Sequence, residues 1–177
     1  TPQDLYGVVA LEAQVLLGSD PWLSGELEKA RSRAAERIKE LKENGVENPQ
    51  LRVGGQEFNV PPEKVDRKVT KRPSMCTAYG ASWRSKNAYV SEELDKVFKH
   101  PDGQKASLCE KIIITNSAIQ GQDNGFPGLA KMNKWFRKFA LACLKKGLKL
   151  VMWKTPNGSH VVQEYLEPEV DEVFTHA

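Results

Sequence analysis

Four side chains that could bind a nucleotide recur at every fourth position in one segment of the sequence. They are Arg67, Lys71, Met75 and Tyr79. On a continuous helix, each step of four residues advances about 40° beyond a full turn, so these side chains would form one slowly winding stripe. Two cations at one end and a phenol at the other suit a nucleoside triphosphate lying along the helix. The cations would meet the phosphates, and the ring would meet the sugar and base.

Pro73 leaves a second interpretation of this segment open. Proline has no backbone N–H to donate and usually kinks or ends a helix. If the helix begins only near Pro73, then Arg67 and Lys71 precede it and the common stripe is lost. Whether or not the helix is continuous, the segment could also be an ordinary amphipathic element with a solvated basic edge and a core tyrosine.

The same segment resembles a known family. Arg67, Lys71 and Tyr79-Gly80, with the local run VTKR at 69–72, resemble the fingers-helix motif of phage-type single-subunit RNA polymerases. Two further segments match in the same order. Residues 3–9, QDLYGVV, resemble the helix after the family's first catalytic-aspartate strand, and residues 153–165, which begin WKTPNG, resemble its later palm hairpin. Three colinear matches are far more specific than any one of them.

The resemblance implies a fold, a function and partners. The implied fold class is α+β, mostly α: a helical fingers module with a C-terminal palm β-hairpin. Residues 1–18 would be a palm/fingers helix, 19–128 the fingers with a nucleotide-binding helix at 63–80, and 129–177 a palm helix and β-hairpin. The chain would be part of a DNA-directed RNA polymerase, a nucleotidyltransferase of transcription. Its partners would be nucleoside triphosphates, the DNA template, the nascent RNA and the remainder of the polymerase.

The resemblance also implies roles for individual residues. Arg67 and Lys71 would bind the triphosphate, and Lys71 would also protonate the departing pyrophosphate. Preorganised cations at developing phosphate charge are the usual device of phosphoryl transfer. Tyr79 would close over the incoming base pair and help to select ribose. Gly80, which has no side chain, would let the template or the helix end approach closely.

The catalytic carboxylates of that family have no counterpart in this sequence. The resemblance implies two Mg²⁺ ions, held by aspartates in an Asp-Gly-Ser-type strand before this segment and a His-Asp-Ser-type strand after it. Neither motif occurs here, and Asp102-Gly103 has the wrong neighbours. We therefore expect Mg²⁺ to be bound by the complete enzyme through ligands that lie outside this chain. We also expect the chain to be inactive by itself.

The hydrophobic periodicity predicts a chain of helices. Helices are expected from about Thr1, as a hydroxyl N-cap, to Gly18, and at about 24–44, 85–98 and 129–146. The first should be well buried. Residues 105–119 fit either helix or strand, whereas 46–62 and 120–128 are typical of loops, the former with room for a short strand. Residues 155–158, TPNG, lie between β-formers and predict a hairpin.

Charge is distributed unevenly along the chain, although the formal net charge is only +3. Residues 124–163 contain no Asp or Glu. Lys131, Lys134 and Lys138 recur on one side of the helix predicted there, so they are candidates for nucleic-acid contact. The alternative is that these lysines only form a solvated face of the helix. The apolar residues of that helix should face inward: Leu129, Met132, Phe136, Phe139, Ala140, Cys143 and Leu144.

Composition narrows the class of protein. The 177 residues allow one sizeable core, and no apolar run is long enough to span a membrane. Three widely spaced cysteines argue against a disulfide framework and a zinc site, which favours a reducing setting. A cytoplasmic location is therefore expected, and the resemblance implies a phage-infected bacterial host. The sequence begins without Met, as a processed chain or a cut segment would.

Two other functions stay open. The chain could be a natural subunit of a split polymerase, completed by a second chain that carries the aspartates. It could instead be a small basic nucleic-acid-binding protein without enzymatic activity, which grips phosphates through the cations at 64–72.

Overall fold

A computed structural model describes residues 4–77, 80–148, 150–155 and 157–164 of the chain. Its helices are Leu5–Leu17 (α1), Asp20–Glu43 (α2), Pro49–Val53 (α3), Arg67–Thr77 (α4), Trp83–Val97 (α5), Leu108–Gly125 (α6) and Pro127–Lys145 (α7), with a 3₁₀ turn at Pro62–Lys64. Its strands are Leu150–Lys154 (β1) and His160–Glu164 (β2). The mostly helical fold predicted from the sequence is confirmed. The chain forms two compact units, Thr1–Ala130 and Lys131–Ala177.

Helix α6 is the centre of the first unit. It packs against α1, α2, α4 and α5, and residues on every side of it are buried. Three consecutive isoleucines, 112–114, lie in its first half and are almost fully buried. A β-branched run fits a strand as well as a helix by local propensity, but here neighbouring helices bury residues on every side of the segment. Burial therefore resolves the ambiguous segment as helix.

The start of α6 is fixed by a capping box. The Ser107 side chain accepts from the Glu110 backbone N–H, and the Glu110 carboxylate accepts from the Ser107 N–H at 2.7 Å. Glu110 is almost fully buried, and it also accepts from the Asn59 N–H at 3.0 Å and lies 2.9 Å from His100 Nε2. One carboxylate thus holds the helix start and two loops together. The cap explains why α6 begins at Leu108.

Helix α1 ends at Leu17 with Gly18 as its C-cap, as predicted, but its start and its burial differ from the prediction. Asp4 is the N-cap; Thr1 lies outside the described residues. Val9 and Ala13 are fully buried, whereas Leu11 and Val15 are largely exposed. Only one face of α1 therefore meets the core, although apolar residues occur all round the helix.

Gly121 of α6 lies directly against the backbone of α1. A Cβ at residue 121 would lie 2.9 Å from the Ala13 backbone nitrogen and 3.0 Å from the Val9 carbonyl oxygen. Both are backbone atoms, so a side chain could fit only if the two helices moved apart. The close approach of α1 and α6 therefore depends on glycine at this position.

We expect Gly121→Ala to lower the free energy of unfolding by about 1–3 kcal/mol, the usual cost of overpacking a close contact. Gly25→Ala in α2 is the matched control, because its Cβ would meet no atom within 4 Å. There the change should stabilise by roughly 0.5–1 kcal/mol through helix propensity. Urea unfolding followed by circular dichroism measures both variants. Equal stability of the two variants would contradict the close packing of α1 on α6.

Several predicted boundaries are corrected by the structure. Residues 46–62, predicted as a loop with room for a strand, contain the short helix α3. Helix α6 continues through residues 120–125, which were predicted as loop, and α2 begins at Asp20 rather than near residue 24. Gly and Asn at 121–125 favour a loop by propensity, but Gly121 and Gln122 are buried against α1 and α4, and this packing keeps the segment helical.

The second unit contains the larger part of α7 and the two strands. The strands are antiparallel, with Met152 opposite Val162 and Lys154 opposite His160. The predicted antiparallel pair is therefore present, while its assignment to a palm domain stays a prediction. The inward face predicted for α7 is wrong for most of its residues: Met132, Phe136, Phe139 and Leu144 are exposed, and Cys143 is buried.

Among the residues that the structure describes, no helix is both long and apolar enough to cross a membrane. Cys76, Cys109 and Cys143 are free thiols. Burial raises the pKa of the Cys109 thiol above its usual value, which suits a packing residue rather than a nucleophile.

Candidate functional site

Helix α4 carries the candidate nucleotide-binding residues, and its first turn is capped from the residue before it. The Asp66 carboxylate accepts from the backbone N–H groups of Lys68 at 2.8 Å and Val69 at 3.1 Å. Such a side chain satisfies donors that a helix start leaves free. Arg67 is therefore already the first residue of the helix.

Pro73 lies inside α4 and does not end it. The Thr77 hydroxyl donates to the Pro73 carbonyl at 3.0 Å, so the last turn of the helix is closed by a side chain as well as by the backbone. Pro73 and Ser74 are buried against the rest of the unit. Arg67 and Lys71 therefore belong to one continuous helix, Arg67–Thr77. That this face of the helix binds a nucleotide stays a prediction.

The outer face of α4 presents the predicted stripe. Arg67, Lys71 and Met75 are exposed, while Val69, Thr70 and Ser74 between them are buried. Residues spaced by four lie on one side of a helix, so the two cations project from the same side, one turn apart. Tyr79, the fourth member of the stripe, lies outside the described residues.

Gly80 has the backbone conformation expected where a helix ends. Its φ of +70° is left-handed, a region that glycine enters at little cost. The Gly80 N–H donates to the Thr77 carbonyl at 3.1 Å, and the Ala81 N–H donates to the Cys76 carbonyl at 3.0 Å. This pair of bonds is the pattern of a Schellman helix end. Gly80 thus has a structural reason to be glycine, whatever approaches it from outside.

Arg67 is about half exposed and is paired with the start of α1. Its Nε–H donates to Asp4 Oδ2 at 2.8 Å, and its guanidinium carbon lies 5.4 Å from the centre of the Tyr6 ring. Sequence reasoning treated Asp4 only as a helix-start acid and missed this pairing. The signal that could have found it was the QDLYG segment at 3–7, which already stood out as one of the matching segments.

Lys71 is exposed, and its ammonium makes no hydrogen bond or ion pair with any residue in the described part of the chain. Its neighbour Arg72 differs. The Arg72 Nη1 lies 2.6 Å from Glu92 Oε2, and the guanidinium lies 4.4 Å from the centre of the Tyr89 ring. The hydrogen bond to Glu92 raises the pKa of Arg72 above its ordinary value. The basic cluster at 64–72 is thus not uniform, since Arg72 joins α4 to α5.

The C-terminal half of α4 is held by Gln122 of α6. Gln122 is buried; its Oε1 accepts from the Thr77 hydroxyl at 2.8 Å, and its Nε2 donates to the Ser74 carbonyl at 3.3 Å. The sequence analysis placed Gln122 in a loop and therefore missed this role. No local pattern indicates it, because both partners lie more than 40 residues earlier in the chain.

The candidates for nucleic-acid contact lie on α7. Lys131, Lys134 and Lys138 are all exposed. Exposed aromatic rings accompany them, and Trp135 and Phe139 stack with centroids 5.4 Å apart and planes within 9° of parallel. Cations interleaved with exposed rings are typical of surfaces that bind single-stranded nucleic acid, although the same composition also occurs on solvated helices.

The described residues do not fit a metal site. No group of three or more His, Cys, Asp or Glu side chains is placed to hold an ion within 4–77, 80–148, 150–155 and 157–164. The site on α4 is instead made of cations, so what it can bind is an anion. Two basic side chains on an exposed helix face suit phosphate oxygens.

Comparison with known proteins gives the family. No curated protein and no solved structure matches the chain. The family model described as DNA-dependent RNA polymerase matches residues 1–177, the whole chain, including the α4 segment with its two outward cations. The chain therefore belongs to the phage-type DNA-dependent RNA polymerase family.

Proposed function

We propose that this chain is the part of a DNA-directed RNA polymerase that holds the incoming nucleoside triphosphate. The observation that carries the proposal is the position of Arg67 and Lys71, one turn apart on the exposed face of α4, in a chain that belongs to this family. The phosphates lie along this face of the helix. Residues 1–18 then form a helix shared by palm and fingers, 19–128 form the fingers, and 129–177 contribute a helix and hairpin to the palm.

Lys71 acts at the reacting phosphate in this proposal. It is closer in sequence to Tyr79 than Arg67 is, so it is nearer the sugar end of a nucleotide lying along the helix. An ammonium that makes no bond to a described neighbour is available to the charge that develops on the phosphate oxygens. The same group can supply a proton to the departing pyrophosphate.

Arg67 binds the outer phosphates. A guanidinium presents several N–H donors in one plane, which suits phosphate oxygens better than a single ammonium does. A grip on the outer phosphates is nearly the same before and during the reaction, so it strengthens binding more than it accelerates chemistry.

Tyr79 and Gly80 complete the nucleotide site at the other end of the helix. The Tyr79 ring covers the incoming base pair, and its hydroxyl reads the ribose side of the site. A site built around one hydrogen bond rejects a substrate that lacks the partner group. The left-handed turn at Gly80 ends the helix where the template approaches.

Catalysis requires groups that this chain does not supply. The Mg²⁺ ions of the polymerase would be held by the two aspartates of the missing strand motifs, in the same polypeptide or in a second subunit. The DNA template and nascent RNA are the nucleic-acid partners, and Lys131, Lys134 and Lys138 of α7 are the residues here that would contact their phosphates. The bacterial cytoplasm of a phage-infected host is the location that this function fits.

The test is Arg67→Ala in the polymerase that contains this segment. We expect the KM for nucleoside triphosphates to rise about 10- to 100-fold with little change in kcat, which is what losing a charge-assisted contact to the outer phosphates would cost. Steady-state incorporation kinetics on a primed template measure both constants.

The matched control is Lys39→Ala, which removes one exposed cation from α2, away from α4. It should leave KM and kcat unchanged. Wild-type kinetics for Arg67→Ala would show that Arg67 does not hold the nucleotide and would leave its pairing with Asp4 as a structural contact only.

A further inference from the structure

Arg67 is held along one edge of its guanidinium. Its Nε–H donates to Asp4, and the Tyr6 ring lies beside its Cζ atom. Neither of its Nη groups makes a hydrogen bond with any residue that the structure describes. The side chain is therefore anchored through its Nε–H group, and the N–H groups on its two Nη atoms remain available as donors.

The anchor itself is fixed, because the first turn of α1 is docked on the first turn of α4. The Thr70 hydroxyl, which is fully buried, donates to the Tyr6 carbonyl at 3.1 Å. About two helix turns further along α1, Gln14 Nε2 donates to the Val65 carbonyl at 3.1 Å. These contacts set the position of Asp4, the N-cap of α1, relative to Arg67.

Gly7 leaves the space that the Asp4 carboxylate occupies. A Cβ at residue 7 would lie 2.9 Å from Asp4 Oδ2 and 3.3 Å from Asp4 Cγ. Gly7 does not have a positive φ, so the backbone there would accept alanine. The absence of a side chain at residue 7 thus matters for the carboxylate and not for the helix.

The Asp4 carboxylate is ionised at neutral pH. Partial loss of water raises the pKa of this group, but the backbone N–H of Gly7 and the Arg67 guanidinium together lower it below its usual value. A charged acceptor forms a stronger bond with Nε–H than a neutral one does.

We propose that Asp4 and Gly7 are positioning residues for the nucleotide's phosphates: Asp4 acts through Arg67 and does not touch the nucleotide, and Gly7 leaves room for its carboxylate. The inference rests on the proposed role of Arg67. A long side chain that is already held in one orientation loses less freedom when its Nη groups meet a phosphate. The pair therefore increases phosphate affinity although one partner is an anion.

Gly7→Ala is the deciding variant, because it keeps both charges and changes only the space around the carboxylate. The probe is inorganic tripolyphosphate, titrated into the 177-residue chain and followed by NMR of the Arg67 Nε–Hε group and by calorimetry. We expect the hydrogen-bonded Nε–Hε signal to be lost and the affinity to fall roughly two- to fivefold, the range that one exposed ion pair supports. Gly25→Ala, the same change in open space, should alter neither.

Asp4→Asn supplies the conservative comparison. Asn is as good an N-cap as Asp and keeps an oxygen that can accept from Nε–H. The Nε–Hε signal should therefore persist, and tripolyphosphate should bind more tightly than to Gly7→Ala, because the side chain of residue 4 still holds Arg67. If Asp4 acts only as a repelling charge, Gly7→Ala will bind as tightly as wild type or more tightly, and the inference is overturned.

The failure of this inference and the failure of the proposed function give different results. If tripolyphosphate perturbs Arg67 and Lys71 equally in wild type and Gly7→Ala, the phosphate site stands and the positioning role falls. If it perturbs neither residue in the wild-type chain, the phosphate site fails, and the positioning role fails with it. Retention of the Nε–Hε signal in Gly7→Ala would also overturn the role of Gly7.

Discussion

Replacing Lys71 with Ala in the polymerase is expected to lower kcat about 10²- to 10³-fold, the usual loss when one preorganised donor is removed from a developing charge. The KM for nucleoside triphosphates should change much less, because the proposed contact strengthens as charge builds on the reacting phosphate. Single-turnover incorporation at saturating nucleotide measures the chemical step directly. Folding should be unaffected, since the Lys71 side chain is exposed and makes no bond within the described residues.

The contrast with Arg67→Ala makes the result specific. If both cations were equivalent, the two variants would share one pattern of kcat and KM. The proposal instead expects Lys71→Ala to act on kcat and Arg67→Ala on KM, with Lys39→Ala unchanged in both. A wild-type kcat for Lys71→Ala would leave α4 as a basic helix without a catalytic role.

The second prediction with a large expected effect concerns the isolated chain. Purified to homogeneity, the 177 residues are expected to synthesise no RNA on a primed DNA template with Mg²⁺ and all four ribonucleotides. The reason is chemical: cations that position phosphates cannot replace the carboxylates that hold the metal ions of a two-metal displacement, and the sequence lacks both aspartate motifs. Gel analysis of radiolabelled product measures RNA synthesis and sets the smallest amount that can be detected.

A complete polymerase of the same family, assayed in parallel, controls for template and nucleotides. Template-directed incorporation that copurifies with the chain and disappears in Lys71→Ala would show that the chain holds carboxylates that sequence reasoning did not recognise. Activity that appears only when a second polypeptide is added would identify the chain as a subunit of a split enzyme.

Local patterns predicted much of the fold. The spacing of apolar residues located the helices that became α1, α2, α5 and α7, and Gly18 was correctly placed at the end of the first. The isoleucines at 112–114 show the limit of such patterns. Their propensity fits helix and strand alike, and only the helices packed around α6 select one of them. The exposed aromatic residues of α7 show the same limit, since periodicity locates an apolar face but not what covers it.

In the candidate site, too, some features follow from the sequence and others only from the tertiary structure. For a helix that continues through Pro73, the sequence by itself determined which side chains share a face of α4, because positions four apart on a helix lie together whatever surrounds them. Only the tertiary structure decided which of those cations are engaged. Arg67 forms an ion pair with Asp4, 63 residues away in the chain, and Arg72 forms one with Glu92, 20 residues away. Lys71 has no ion-pair partner among the described residues. Periodicity is fixed by backbone geometry, but an ion pair between distant segments exists only after the packing of α1 and α5 on α4 has brought the charges together.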